Sequence, residues 1–529
     1  MQCPPDPGSV HRRAAAELRG DTVKVEERHM GTTPVRDLAV GKVGFIAEHG
    51  LFTEAMQAAA ERATALVSDN DIRTVRIGVV DQHGAVRCKF VSSHDFLLSL
   101  RNGIDFSGAI LSLDSANKVF PPAFVEGGGF GVPELTGFPD VVLVPDPTSF
   151  HILPWADHTA WVLSDAYFGN GKSVGLFTRQ VLRRQLELAR EMGFEYAAGL
   201  EVEFYIFHRE QGRIAIDETG WPPPALPVSV VAQGYQYLSE TRLAEISAIL
   251  DPLRDHLEAL GLPLRTIEDE WGPGQTEITF DPQLGLGPAD AMILFRTAAK
   301  QICHQLGYHA TFMCRPLLPN VSSSGWHLHE SLQDAHKGGN AFASSDQEVL
   351  SPTGRQFAAG ILEHAIPMTV FSTPTVNGYK RFKPYSFAPN RVNWALENRG
   401  SMLRVQGQPG DQGAHLENRL GEPGANPYLY MAANIAAGLD GIRRQLNPPP
   451  MVHADPYSED APALPASLGE AIEALDQDQF FRQALGREIV DYLVMLKRFE
   501  YNRYVEEAGN AADPVEVTEW EQKEYFGFF

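Results

Sequence analysis

At 529 residues, 43% hydrophobic and 21% charged, the chain has the composition of a globular protein and the length for two or three domains. Its formal net charge of -23 argues against nucleic acid or an anionic membrane as principal partner, while leaving room for a local basic pocket. No apolar run approaches the roughly 18 residues of a membrane span, the first 31 residues lack the apolar core of a secretory signal, and Cys3, Cys88, Cys303 and Cys314 fit neither a disulfide framework nor a zinc motif; a reduced, cytoplasmic protein is expected.

Residues 1–40 show no clear periodicity and read as a flexible extension. Residues 41–170 read as a modest α+β unit. In it a helical pattern runs from Phe52 to Val67, a strand from Ile72 to Val80, a turn over Asp81-Gln82-His83-Gly84 and a strand from Ala85 to Val91; a Gly/Pro-rich stretch, 102–154, contains a short strand at Val141–Val144. The Gly171-Lys172-Ser173 run is not a phosphate loop, because Ala166 stands where the pattern needs glycine, so it reads as a linker. Residues 171–529 open with a helix whose Leu182, Leu186, Ala189 and Met192 share a face and which Gly193 ends. Further helices are predicted at 242–260, with a kink at Pro252, from Pro288 to before Gly307, and over 428–446 after an Asn426-Pro427 cap; Tyr308–Leu317 reads as a strand.

The chemistry concentrates in strands with polar residues at alternate positions. In Gly199-Leu200-Glu201-Val202-Glu203-Phe204 the period of two projects both carboxylates from one face, with Cα atoms on the order of 7 Å apart. Gln275, Glu277 and Thr279 share a face in a second strand, His327 and His329 in a third, and His415, Glu417 and Arg419 in a fourth. Singly, each pattern is ordinary for a half-exposed strand; together they offer carboxylate and imidazole on common sides, as a hard-cation site requires. Arg381, Arg399, Arg404 and Arg419 add bidentate donors suited to phosphate and carboxylate oxygens. An acidic metal face beside an arginine cluster is wiring for phosphoryl transfer from a metal nucleotide.

Over roughly residues 41–450, and most clearly 199–440, the chain resembles the glutamine synthetase family. The resemblance is carried by the Glu201/Glu203 strand, Pro273-Gly274-Gln275-Thr276-Glu277, Gly325-x-His327-x-His329-x-Ser331, Asn377-Gly378-Tyr379-Lys380-Arg381, Glu397-Asn398-Arg399, Glu417-x-Arg419 and Ala425-Asn426-Pro427-Tyr428. It implies an α+β fold in which a small β-grasp-like N-terminal domain precedes a large catalytic α/β domain with a curved antiparallel sheet, in a homo-oligomeric ring with active sites between subunits. It also implies two or more Mg2+ or Mn2+ ions, with ATP and L-glutamate as substrates. Glu203, Glu270 and Glu277 would hold one ion, and Glu201, His327 and Glu417 the other; a one-residue slip would exchange Glu270 for Asp269. Arg381, with Glu203 and Arg419, would bind glutamate; Arg399, Arg404 and Arg419 would steady the transferring phosphoryl group; His329 and Ser331 would lie near the nucleotide.

Two departures bear on the nucleophile. Where glutamine-forming members carry an Asp that helps bind ammonium, this chain has Ser107, and where they carry a flap Glu it has Phe387. Loss of both carboxylates suits a carbon-bearing amine and gives the chain a closer resemblance to the γ-glutamyl-amine ligases of the family; among alkylamines, arylamines and polyamines a monoamine is preferred, aromatic ones included. Ser322-Ser323-Ser324 replaces an Asn-Gly-Ser segment that helps hold glutamate. The competing readings are ammonia-using glutamine synthesis, a non-catalytic scaffold of the same fold, and a metal-dependent amide hydrolase, for which the arginines would be surplus.

Overall fold

The computed structural model describes residues 40, 42–120, 128–345, 347–458, 460–509, 512 and 515–529, so the expected N-terminal extension, residue 40 apart, lies outside the described residues. Two sheets organise the rest. The smaller comprises β1 (Thr74–Val80), β2 (Val86–Ser92), β3 (Ile104–Ser107), β4 (Asp140–Pro145), β5 (His151–Ile152) and β6 (Thr159–Tyr167) in the order β2-β1-β6-β4-β3, with β5 added to β6. Its β1–β6 pairing is parallel and the others antiparallel. Asp81 builds the predicted β1–β2 turn by accepting the His83 and Ala85 amides, both at 2.9 Å. Gly84 there has φ +83°, and a Cβ would meet the Asn426 Cα at 3.1 Å.

The larger sheet has β7 (Phe194–Arg209), β8 (Val228–Val230), β9 (Leu264–Asp269), β10 (Gln275–Leu284), β11 (Tyr308–Thr311), β12 (Trp326–Asp334), β13 (Trp394–Leu396), β14 (Leu403–Gln406) and β15 (His415–Gly421). The order is β13-β14-β15-β12-β7-β10-β9, with β8 and β11 pairing the C-terminal half of β7. It is a mixed sheet, because β13 and β14 run parallel. Alternation along β7 sends Leu200, Val202, Phe204 and Ile206 into the core, where Phe204 stacks on Phe312 at 5.0 Å and meets Phe295 of the helix Gly287–Gln305 edge-on at 5.6 Å. The opposite face carries Glu201 and Glu203 and then turns apolar: Tyr205 and Phe207 are fully buried, with Phe207 against Phe526 of the C-terminal segment. The acids therefore sit where a buried face opens.

The helices follow the apolar patterns. Thr53 caps Glu54–Asp69, the helix Glu240–Ala259 continues through Pro252, and Asn426 caps Pro427–Arg444 by accepting from the amides of Tyr428 and Leu429 at 3.1 and 3.4 Å. One expectation fails: the strand from Tyr308 stops at Thr311 instead of Leu317. Pro316 lacks an amide, and side chains take the neighbouring ones, Asn377 Oδ1 accepting from Arg315 and Gln522 Oε1 from Leu317, both at 2.7 Å. The helices Leu468–Gln477, Arg487–Ala508 and Glu519–Tyr525 had no sequence prediction.

Candidate active site

Strand register brings the predicted acids together. In β7 Glu203 lies opposite Glu277 of β10, and Glu201 opposite His327 of β12. Across the next ladders His329 faces Glu417, and Glu417 faces Arg404. On the other side Glu277 pairs with Glu268 of β9, whereas Asp269 pairs with Thr276. Side chains alternate, so Glu268 and Glu270 share the acid face and Asp269 points away, toward Arg242. Parity thus separates Glu270 from its neighbour, which the sequence left interchangeable.

The hydrogen bonds divide the cluster into a neutralised half and an unneutralised half. Glu417, fully buried, accepts from Arg404 and Gln406, each at 3.0 Å, and from Arg419. Although burial works against its ionisation, Arg419 and His327 hold its carboxyl well below the ordinary carboxylate range. Burial likewise opposes ionisation of Glu201, but His327 at 2.5 Å and His329 at 3.0 Å keep it ionised. The other half has too few cations. Glu203 accepts from Gln275 and the Gly325 amide, each at 3.0 Å, yet its carboxyl is raised by burial despite Arg381. Burial and then Glu203 raise Glu270; burial and then Glu201, Glu203 and Glu270 raise Glu277 further. Burial, with Arg419, lowers His327 to about 4, leaving a neutral imidazole of the kind that ligates metals.

Hydrogen-bond bookkeeping tests the fit to a cation independently. His415 Nδ1 lies 2.6 Å from the Gly413 carbonyl, which can only accept, so His415 Nε2 is a lone pair. It must accept from His329 Nδ1 at 3.0 Å, and unless that ring takes a second proton its Nε2 presents a lone pair to Glu201 Oε2 at 3.0 Å. Two acceptors so placed need a proton or a metal ion. Potential ligand atoms of Glu201, Glu277 and His327 lie within 4.8 Å of one another, as do those of Glu201, His329 and Glu417. These groupings cut across the division between two ions that the resemblance implies, with Glu201 common to both. Oxygen-rich sets with imidazole suit Mg2+ or Mn2+, so the residues present fit the implied ions.

A cavity of about 710 Å3 adjoins the acids, lined by Glu268, His329, Ser331, Arg399, Arg404 and His415 among others. The expected nucleotide-side residues therefore share one wall system. Arg381 and Arg419, both buried, lie on the other side of His327: Arg381 reaches its Nε2 at 3.3 Å and donates to the Arg419 carbonyl at 2.9 Å. Arg419 also donates to the Phe387 carbonyl at 3.2 Å, tying the flap residue to the cluster. Ser107 is exposed at the end of β3 and accepts from the Ala109 amide; among the described residues no hydrogen bond or ring contact joins it to Phe387. In the Ser322-Ser323-Ser324 segment, the Ser322 amide donates to the Tyr205 hydroxyl at 2.9 Å, and Ser324 Oγ accepts from Gln275 at 3.0 Å.

Sequence reading put His415 on the shared face without giving it a partner, and missed Glu268, Gln406 and Trp271 as parts of this site. A period-two reading back from Glu270 finds Glu268; the others are visible only once the strands pair. Among the described residues no helix is long and apolar enough to cross a membrane.

With this geometry in hand, comparison with known proteins is specific. The glutamine synthetase catalytic domain matches residues 176–525, more than half of the chain. A gamma-glutamylanilide synthase from Acinetobacter sp is 42% identical over 496 residues, covering 92% of this chain and 99% of the relative. A glutamine synthetase from Halobacterium salinarum is 34% identical over 443 residues, covering 80% and 92% respectively. A solved GmaS/ADP complex superposes with a TM-score of 0.71 at 28% identity, covering 87% of this chain and 98% of that one. A small curled sheet followed by a large mixed sheet with its acids and arginines on one face has the sequence and fold of these proteins, and the chain belongs to the glutamine synthetase family, as a ligase of the acid–amine class.

Proposed function

We propose that the protein joins the γ-carboxylate of L-glutamate to an organic amine through a γ-glutamyl phosphate, driven by cleavage of ATP. The observation that carries this reading is the acid, imidazole and arginine set gathered at one cavity, in a chain whose Ser107 and Phe387 occupy the positions that the family resemblance gives to ammonium-binding carboxylates. The likeness to a gamma-glutamylanilide synthase supports it.

ATP takes the cavity on the His329 and Ser331 side, with Arg399 and Arg404 on the phosphates; glutamate lies toward Arg381. A γ-carboxylate oxygen attacks the γ-phosphorus, the bond to the bridging oxygen breaks and ADP leaves. Arg404 and Arg419 meet the charge spread over the phosphoryl oxygens, in positions already set by Glu417, so little reorganisation accompanies the step. Glu201, Glu203, Glu270, Glu277, His327 and Glu417 would hold two Mg2+ or Mn2+ ions, which would further screen the repulsion between carboxylate and triphosphate. The neutral amine nitrogen then attacks the acyl carbon, phosphate departs and takes the nitrogen's proton, and the amide remains. Burial of Arg381 and His327 keeps water from that side, where it would otherwise hydrolyse the acyl phosphate.

The exposed position of Ser107, apart from Phe387, supports a site completed by a second copy in a ring-shaped oligomer. The test is phosphate release and product mass with ATP, Mg2+, glutamate and a panel of amines. Amide formation with an organic amine and not with ammonia is expected; turnover with ammonia alone sinks the amine assignment.

A further inference from the structure

Three aromatic residues sit at the lip of the acid cluster, and two of them, Trp271 and Tyr237, have no role in the reaction as described. Trp271 is 45% exposed, Phe387 57% and Tyr237 43%, an unusual concentration of uncovered ring surface. Tyr237 lies flat on one face of Trp271, with centroids 5.2 Å apart and planes at 4°. On the same indole, Phe387 stands 6.4 Å away at 21°. That separation lies within the roughly 4.5–7 Å of offset aromatic pairs, so the two rings are adjoining walls of one exposed aromatic surface rather than the sides of a gap.

Both walls are tied to the site. The Trp271 amide donates to Glu270 Oε2 at 3.2 Å and its carbonyl accepts from Tyr235 at 2.9 Å, while the Phe387 carbonyl accepts from Arg419 at 3.2 Å. Phe387 and Tyr385 hold φ of +58° and +59°, a backbone region that residues other than glycine seldom occupy and that clusters at functional sites. We propose that Trp271 and Phe387, together with Tyr237, form an aromatic surface on which the flat apolar part of the amine stacks, selecting arylamines over alkylamines.

The proposal rests on the ligase reading and adds the class of nucleophile with the side chains that choose it. Chemistry agrees with the geometry. An arylamine is a free base near neutral pH and can attack the acyl carbon without first losing a proton, whereas an alkylamine arrives as a cation and gains from a carboxylate. Ser107 and Phe387 offer none. A cation held against ring faces is the competing occupant, and alkylamines represent it.

The experiment compares kcat/KM for aniline and isopropylamine in the wild-type protein, Trp271→Ala and Phe387→Leu. We expect wild type to favour aniline and each variant to lower the aniline-to-isopropylamine ratio about tenfold, chiefly through KM for aniline. Fluorine NMR line broadening of a fluoroaniline with protein, ATP and Mg2+ should weaken in Trp271→Ala, a readout independent of turnover. An unchanged ratio in both variants, or a wild type that prefers isopropylamine, overturns this role for the aromatic surface while leaving the ligase reading intact. Absence of turnover with every amine in wild type would instead count against that reading.

Discussion

Glu277→Gln isolates the demand of the acid cluster for positive charge. Glu277 is 6% exposed, opposite Glu203 on one side and Glu268 on the other, and burial followed by repulsion from Glu201, Glu203 and Glu270 raises its carboxyl far above the ordinary 4.5. An acid whose pKa is higher in the folded state favours folding when protonated, so stability falls as pH rises from 4.5 toward the folded value. At pH 7 the cost depends only on the distance from 4.5, because the folded value lies above both: at about 1.36 kcal/mol per pH unit it is about 3 kcal/mol. Glutamine removes that cost but keeps a buried polar amide, leaving a net gain on the order of 1–2 kcal/mol. Thermal unfolding after chelation should therefore show the variant melting a few degrees higher at pH 7, with the gap closing toward pH 4.5. Mg2+ should raise the midpoint of wild type more than that of the variant, since the variant has lost a ligand. A chelated variant that melts at or below wild type at pH 7, or equal Mg2+ protection in both, would refute this account of the cluster.

The paired half should respond in the opposite sense. Glu417→Gln leaves Arg404 and Arg419 buried without their shared carboxylate, and a loss of about 3–5 kcal/mol is expected in chemical denaturation; a loss under about 1 kcal/mol contradicts the assignment. Glu203→Ala should abolish ATP- and glutamate-dependent phosphate release, by at least about a hundredfold, because the site loses an inward carboxylate; near-normal turnover rules Glu203 out as a ligand. Phe387→Glu should weaken the use of bulky amines and bring some ammonia use, measured by competition between the two; an unchanged amine profile means the flap does not select.

The acid strand was legible because its signal is local: alternation in β7 decides which face each residue takes, whatever the neighbours are. The cap at Asn426, the turn at Asp81 and the helices 54–69, 287–305 and 427–444 were legible for the same reason. The strand end at Thr311 was not, because the amides beyond it bond to Asn377 and Gln522, remote in sequence. Trp271 was also silent. Its meaning comes from Tyr237 and Phe387, brought to its ring by loops with no periodic pattern.

By itself the chain determines the chemical inventory: two carboxylates one residue apart, paired imidazoles, four arginines, and Ser107 and Phe387 in place of acids. The acids, imidazoles and arginines follow from residue identity and strand period; that Ser107 and Phe387 replace acids follows from the family resemblance. Tertiary structure alone decided which acids meet, that Glu270 rather than Asp269 joins them, and that arginines neutralise Glu417 while Glu277 has no basic partner among the described residues. Register between strands far apart in sequence is set by the packing of their buried faces, and a shift of one residue would turn every one of these side chains away.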